Sequence, residues 1–311
     1  MRCLTIFYAL FCVSMASMGA AADASARILE VGPGHDLKLP SAAAAVARPG
    51  DTIEIEPGEY IDCAVWTADR LVIAGRGAGA VVTLKTCEGK ALFVIRGHDV
   101  TIRNLTFSHA RVPDANGAGI RAEGRNLTVH DSRFIENENG ILAGPNPAST
   151  IRIFDSEFIR NGSCKKACAH GVYIGAIGLL HIERSKFTET RAGHQVKSRA
   201  LSTRLIDNEI TDGAGGTSSY LVDIPDGGSL MMEGNRLQKG PLSDNGGAAI
   251  VIGGEGIKQK TLELVFKNNR FTNSLEHKTI FVRNLTGVSA ILLGNQVIGS
   301  VTALSGNGEV R

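Results

Sequence analysis

Aromatic residues are scarce in this 311-residue chain: 5% of positions, with one Trp and four Tyr, and there are only nine prolines. A core of this composition has to be filled mainly by aliphatic side chains. Neither charge is in surplus, since 33 Lys and Arg face 31 Asp and Glu for a formal net charge of +2. Nucleic-acid binders carry excess positive charge to neutralise phosphates, so this balance excludes that partner. A hydrophobic content of 43% excludes disorder as the general state. Beyond the first twenty residues no apolar run approaches the ~20 residues of a bilayer span, so no membrane span is expected in the mature chain. Adjacent aspartates, the paired carboxylates of a polygalacturonase-like hydrolase, are missing as well. What is plentiful is glycine, at 37 positions, which points to many tight bends.

The amino terminus reads as an export signal. Met1-Arg2 is followed by an apolar run from Leu4 to Met18 and by the small residues Gly19–Ala26. Residues 1–22 are assigned to it, with cleavage between 20 and 26, leaving 27–311 as one domain that is secreted or periplasmic. Phe11 before Cys12 is too bulky for a lipoprotein site. Cys3 and Cys12 leave with the signal, and Cys63, Cys87, Cys164 and Cys168 remain. An even number in an oxidising compartment favours disulfides. Of three connectivities, proximity favours Cys63–Cys87 and Cys164–Cys168. A zinc site is the rival reading, but paired Cys-x-x-Cys spacing is missing.

A strand-like phrase recurs along the chain: TIRNLTF ending at Phe107, TVHDSRF at Phe134, RIFDSEF at Phe158 and HIERSKF at Phe187. It continues as RLIDNEI to Ile210, MMEGNRL to Leu237, VFKNNRF to Phe271 and ILLGNQV to Val297. The intervals between these final apolar residues are 27, 24, 29, 23, 27, 34 and 26, periods that indicate a solenoid. Two places earlier stand Ser132, Ser156, Ser185, Asn208, Asn235, Asn269 and Asn295, interrupted only by Leu105 in the first coil. Such a column can hydrogen-bond along the axis and satisfy a buried bend. Asp131, Asp155 and Asp207 recur beside it and read as turn residues. A second short strand lies between the phrases, at Gly119–Ala122, Gly140–Ala143, Gly171–Ile174, Gln195–Lys197, Leu221–Asp223, Ala249–Ile252 and Thr279–Val282. Helical periodicity is confined to Ser41–Arg48. Four Asn-x-Ser/Thr triplets, at Asn104, Asn126, Asn161 and Asn284, match the glycosylation pattern but fall out of the repeat itself.

The Ala-rich helix, Pro49-Gly50-Asp51-Thr52-Ile53 and Pro57-Gly58-Glu59-Tyr60 resemble the opening of right-handed parallel β-helix proteins of the pectate lyase-like group. The repeats over 85–300 fit the same group. The resemblance implies an all-β fold: one right-handed parallel β-helix with a short N-terminal helix capping the stack. It implies no single activity, because that scaffold hosts lyases, hydrolases, epimerases and adhesins.

Aligning Val172, Val196 and Val222 puts Tyr173, Lys197 and Asp223 at equivalent outward places in three consecutive coils, about 4.8 Å apart. His170, His194 and Gln195 flank these strands, and Arg199 follows Lys197 by two residues. The face reads as bland elsewhere, as at Leu142 and Val251. β-Elimination on an acidic sugar requires a neutralised carboxylate, removal of the C5 proton and protonation of the leaving oxygen, steps suited to Lys, Arg, His and Tyr. Gln195-Val196-Lys197-Ser198 resembles the Val-Lys-Ser motif of chondroitinase B-like and alginate-lyase-like β-helix enzymes, a resemblance that makes Lys197 the base. Those enzymes carry acidic calcium ligands before the lysine, where this chain has Thr190-Arg191-Ala192-Gly193. They place an arginine on the next coil, where this chain has Leu221-Val222-Asp223-Ile224-Pro225.

The expected catalytic set is therefore Lys197, Tyr173, His194 and Arg199 in a metal-free scheme, with His170, Gln195 and Asp223 as substrate contacts and no cofactor; calcium is the alternative, although the ligands of the related enzymes are not found. Rival readings make Lys197–Asp223 a surface ion pair worth about 0–1 kcal/mol, the histidines turn residues, or His170, His194 and Asp223 a metal site. The function expected is an exported, monomeric enzyme acting on an acidic polysaccharide by β-elimination or C5 epimerisation. The alternative is a non-catalytic carbohydrate-binding or cell-surface protein, and an accessory factor for metalloenzyme maturation is a distant third.

Overall fold

A computed structural model describes residues 26–165 and 167–311. The expected export signal lies outside them. Three parallel sheets run along the chain, the first of twelve strands beginning at Ile28–Val31 and two of ten beginning at Gly58–Tyr60 and Ala64–Trp66. Each full coil contributes one strand to each sheet, as Leu127–His130, Arg133–Ile135 and Asn139–Ala143 do. Coils stack in strict register, so that Val129 lies between Ile102 and Ile153, and Phe134 between Phe107 and Phe158. The result is a parallel β-helix.

The repeat phrase is two strands joined at a sharp bend. Asn104, Asp131, Asp155, Asp207 and Asn268 hold that bend at φ values of 54°, 48°, 50°, 52° and 53° respectively. This is the left-handed region in which Asp and Asn are favoured. The next residue points inward and builds the expected ladder. The Ser132 N–H donates to Ser156 Oγ at 3.2 Å, Ser156 to Ser185 Oγ at 3.1 Å, and Ser185 to Asn208 Oδ1 at 2.9 Å. Asn208, Asn235 and Asn269 continue it to Asn295 at 2.9, 3.0 and 3.0 Å. Leu105, which has no polar side chain, donates its N–H to Ser132 Oγ and ends the column. Beside the ladder the rings of Phe107, Phe134, Phe158 and Phe187 stack at centroid distances of 5.2, 4.7 and 4.5 Å. Few aromatics are present, but four of them form one continuous stack in the core.

The helix spans Pro40–Val46 and not Ser41–Arg48. Pro40 favours its first turn, and Pro49 disfavours helical backbone at Arg48; Ala47 is already extended. Its buried Ala43 faces the strands Ile28–Val31 and Ala64–Trp66, the end strands of two sheets. Two disulfides, Cys63–Cys87 and Cys164–Cys168, tie loops beside the third sheet. Among the described residues no helix is long and apolar enough to cross a membrane.

Candidate functional site

The third sheet carries one outward column that runs Val65, Val94, Arg121, Leu142, Tyr173, Lys197, Asp223, Val251, Arg283 and Ser305. Tyr173, Lys197 and Asp223 are thus neighbours on consecutive strands, in the register read from the sequence. Arg121 and Arg283 share the column, so the face is less bland than Leu142 and Val251 suggested. Lys197 is not a surface group: it is 8% exposed and Asp223 4%. Its Nζ lies 3.2 Å from Asp223 Oδ2 and 2.7 Å from Glu255 Oε1. Arg199 binds Glu255 Oε2 and Asp226 Oδ1, each at 2.6 Å, and its Nε donates to the Tyr173 hydroxyl at 3.2 Å. Lys258 completes the network on Asp226 at 2.8 Å.

The histidines form a second layer. The rings of His170, His194 and Tyr220 stack nearly parallel at 4.9 and 5.1 Å, and His170 meets Tyr173 edge-on at 5.0 Å. His170 Nδ1 accepts the His194 N–H, and His194 Nδ1 accepts the Tyr220 N–H, so each proton of the neutral rings sits on Nε2. His194 Nε2 then lies 3.4 Å from Asp223 Oδ2. Two hollows flank the column. One of about 310 Å³ is lined by His194, Lys197, Tyr220, Asp223, Glu255 and Arg283. The other, about 480 Å³, is bounded by Pro113, Ala115, Asn116, Lys165, Cys168 and Tyr173.

No family model matches the chain, and no curated protein matches it in sequence. Solved structures do match it in shape. Pectate lyase Pel9A superposes with a TM-score of 0.60 at 14% identity, over 90% of this chain and 79% of that one. The alginate lyase from Paenibacillus sp. str. FPU-7 gives 0.51 at 15% identity, covering 89% and 99% of the two chains. Pectin methylesterase PemA from Erwinia chrysanthemi gives 0.51 at 11%, covering 76% and 92%. The chain has the pectate lyase-like parallel β-helix fold.

In this β-helix the electrostatics of the site follow from burial and pairing. Burial depresses the His194 pKa to about 3, helped by the charge of Lys197, and holds His170 well below its ordinary value. Both rings are neutral at physiological pH. For Lys197 burial opposes the charge, but Asp223 and Glu255 outweigh it and raise the ammonium above its ordinary value. Asp223 is raised, by burial first and by Glu255, against the pull of Lys197. Glu255 loses some hydration too, yet Lys197 and Arg199 hold it at about 2. Among the described residues no group of three His, Cys, Asp or Glu is placed to hold a metal ion.

Lys197, Tyr173, Arg199, His194 and Asp223 are therefore brought together. Gln195 is not. It is fully buried and points inward, accepting from Thr190 Oγ1 at 2.5 Å and donating to Asp212 Oδ1 at 3.1 Å. His170, 3% exposed, lies beneath Tyr173 and His194 rather than in the groove. Both precede their strands, Val172–Ile174 and Val196–Ser198, at bends where the two-residue alternation does not set side-chain direction. The sequence reading missed Glu255, Asp226, Lys258, Tyr220 and Arg283. A signal existed for the first: the longest interval, 34 residues between Leu237 and Phe271, contains the insertion that carries Glu255.

Proposed function

We propose that the protein is an exported enzyme that acts on an acidic polysaccharide laid along the third sheet, by β-elimination or C5 epimerisation. The observation that carries this is the Tyr173–Lys197–Arg199 cluster, two cations and a phenol set side by side between two hollows on the third sheet. The solved structures it matches in shape, a pectate lyase and an alginate lyase, lend the substrate class. Lys197 and Arg199 are the groups that would neutralise a uronate carboxylate, which acidifies the C5 proton. With Lys197 held as an ammonium, it serves as that electrophile rather than as the base. The His194 Nδ1 lone pair is taken by a backbone N–H, so the Tyr173 hydroxyl is the group left for proton transfer. His194 orients Asp223, and the two disulfides suit an oxidising compartment.

The test is incubation of the mature protein with alginate, pectate, hyaluronan and chondroitin. Elimination raises ultraviolet absorbance through the unsaturated product, and epimerisation incorporates deuterium at C5 from heavy water. Neither signal on any substrate rejects the enzyme reading. Tyr173→Phe is expected to lower kcat by about 10²–10⁴-fold, the range of a general acid–base group; an unchanged rate removes Tyr173 from the mechanism. One observation favours the non-catalytic alternative: both site cations are fully ion-paired in the free protein. Retention on an immobilised polysaccharide without turnover would support that reading.

A further inference from the structure

The two oxygens of Glu255 are divided between the two site cations, Oε1 on Lys197 at 2.7 Å and Oε2 on Arg199 at 2.6 Å. This is the bridging geometry by which a bound uronate would be held. Glu255 differs from the other anions of the cluster in how it is carried. Asp223 is fixed in a central strand, and Asp226 is 6% exposed, its carboxylate accepting from both Arg199 and Lys258. Glu255 stands on an inserted loop, its side chain 46% exposed, in the run Gly253-Gly254-Glu255-Gly256. Gly253 and Gly256 have φ of 80° and 100°, left-handed conformations that glycine adopts without a Cβ penalty and that turn the chain so that Glu255 faces the cluster. The backbone of the loop is anchored, with the N–H groups of Gly253, Glu255 and Lys258 donating to the carbonyls of Ile224, Pro225 and Asp226, each at 2.8 Å, so the mobile part is the exposed Glu255 side chain.

Charge counting points the same way. Lys197, Arg199 and Lys258 balance Asp223, Asp226 and Glu255, three against three. Withdrawing Glu255 leaves one positive charge over, enough for one carboxylate. We propose that Glu255 is a built-in stand-in for a substrate carboxylate: it fills the Lys197–Arg199 seat in the free protein and swings out when a uronate takes its place. The proposal rests on the acidic-polysaccharide reading and adds the seat, its occupant and the side chain that must move. A tethered carboxylate competes at a millimolar effective concentration, so the free protein discriminates against single acidic sugars and admits a polymer that makes many contacts at once.

The experiment uses D-galacturonate as probe and D-galactose as its neutral control, titrated into wild type, Glu255→Ala and Glu255→Gln. The Arg199 Nε–H resonance reports the seat. Both variants are expected to bind galacturonate about tenfold tighter than wild type, and galactose not at all. Equal or weaker binding by both variants overturns the proposal, and Glu255→Gln guards against a loop collapse in the alanine variant. Tighter galacturonate binding with no product from any polymer upholds the seat and rejects the enzyme reading. Polymer turnover with no gain in either variant does the reverse.

Discussion

Lys197 holds apart two carboxylates that would otherwise repel each other in a poorly hydrated site. Removing it is therefore a matter of stability as well as function. Lys197→Met is expected to cost about 3–5 kcal/mol, because Asp223 is left buried and unpaired. Urea titration measures this, and the double variant Lys197→Met/Asp223→Leu should recover most of the loss; a single variant as stable as wild type refutes the coupling. The histidine layer makes a separate prediction. His194 titrates near 6.5 when unfolded and at about 3 when folded. The unfolded chain therefore binds more protons between those values, and stability is full above pH 6.5 and falls as pH drops toward 3. Each such histidine contributes a slope of about 1.4 kcal/mol per pH unit in that window, and His170, shifted the same way, adds to it. His194→Phe keeps the ring stack and should flatten the slope between pH 6 and 4.5. An unaltered slope would mean that His194 is already protonated in the fold.

At the scale of the element, the Ser/Asn ladder accounts for why each coil bends where it does. Asn235 Oδ1 accepts the buried N–H of Asn208, and its own amide donates to the Leu205 carbonyl at 2.8 Å. Asn235→Ala strands both and should cost about 1–3 kcal/mol in a denaturation experiment. Asn235→Ser, which restores the acceptor that Ser156 and Ser185 provide elsewhere, should cost less, and a loss as large as alanine's would show that the amide donor matters more. This regularity is also why the fold was legible. The coils repeat the same chemical constraint at the same place: a left-handed residue, most often Asp or Asn and elsewhere Arg184, Gly234 or Gly294, then an inward Ser or Asn in all but the Leu105 coil, and then a ring or aliphatic group. The site was legible only where it used the repeat, as Tyr173, Lys197 and Asp223 do. Glu255, Asp226 and Lys258 lie in a turn and an insertion that obey no period. The inserted loop also lays Glu255 over Lys197, so an ion pair that reads as superficial from the sequence is buried. The side-chain directions of Gln195 and His170 were not legible, because both stand at bends before their strands, where no two-residue alternation applies.

Across the whole molecule the near-neutral total charge has a structural origin. On the second sheet Arg133, Glu157, Lys186, Glu209 and Arg236 occupy one outward row and alternate in sign from coil to coil. The site cluster is balanced in the same way, three cations on three anions. Charge is thus paired between neighbouring coils along much of this row and within the site, although the row ends on two adjacent arginines, Arg236 and Arg270. Such a stack should open from where coils are least covered. The last strands, Gln296–Ile298 and Gly308–Val310, are largely exposed, with Val297 at 39% and Val310 at 59%. The stacked rings of Phe134, Phe158 and Phe187 are fully buried. Native-state hydrogen exchange should therefore show protection highest across residues 127–188 and falling toward 296–310, with the C-terminal amides exchanging by local opening rather than global unfolding. Truncating the stack centre by Phe158→Leu should lower protection in the flanking coils and leave the C-terminal amides unchanged, because those already exchange through a smaller opening. Uniform protection along the axis would instead mean that the solenoid opens as one cooperative unit, and the site loop with it.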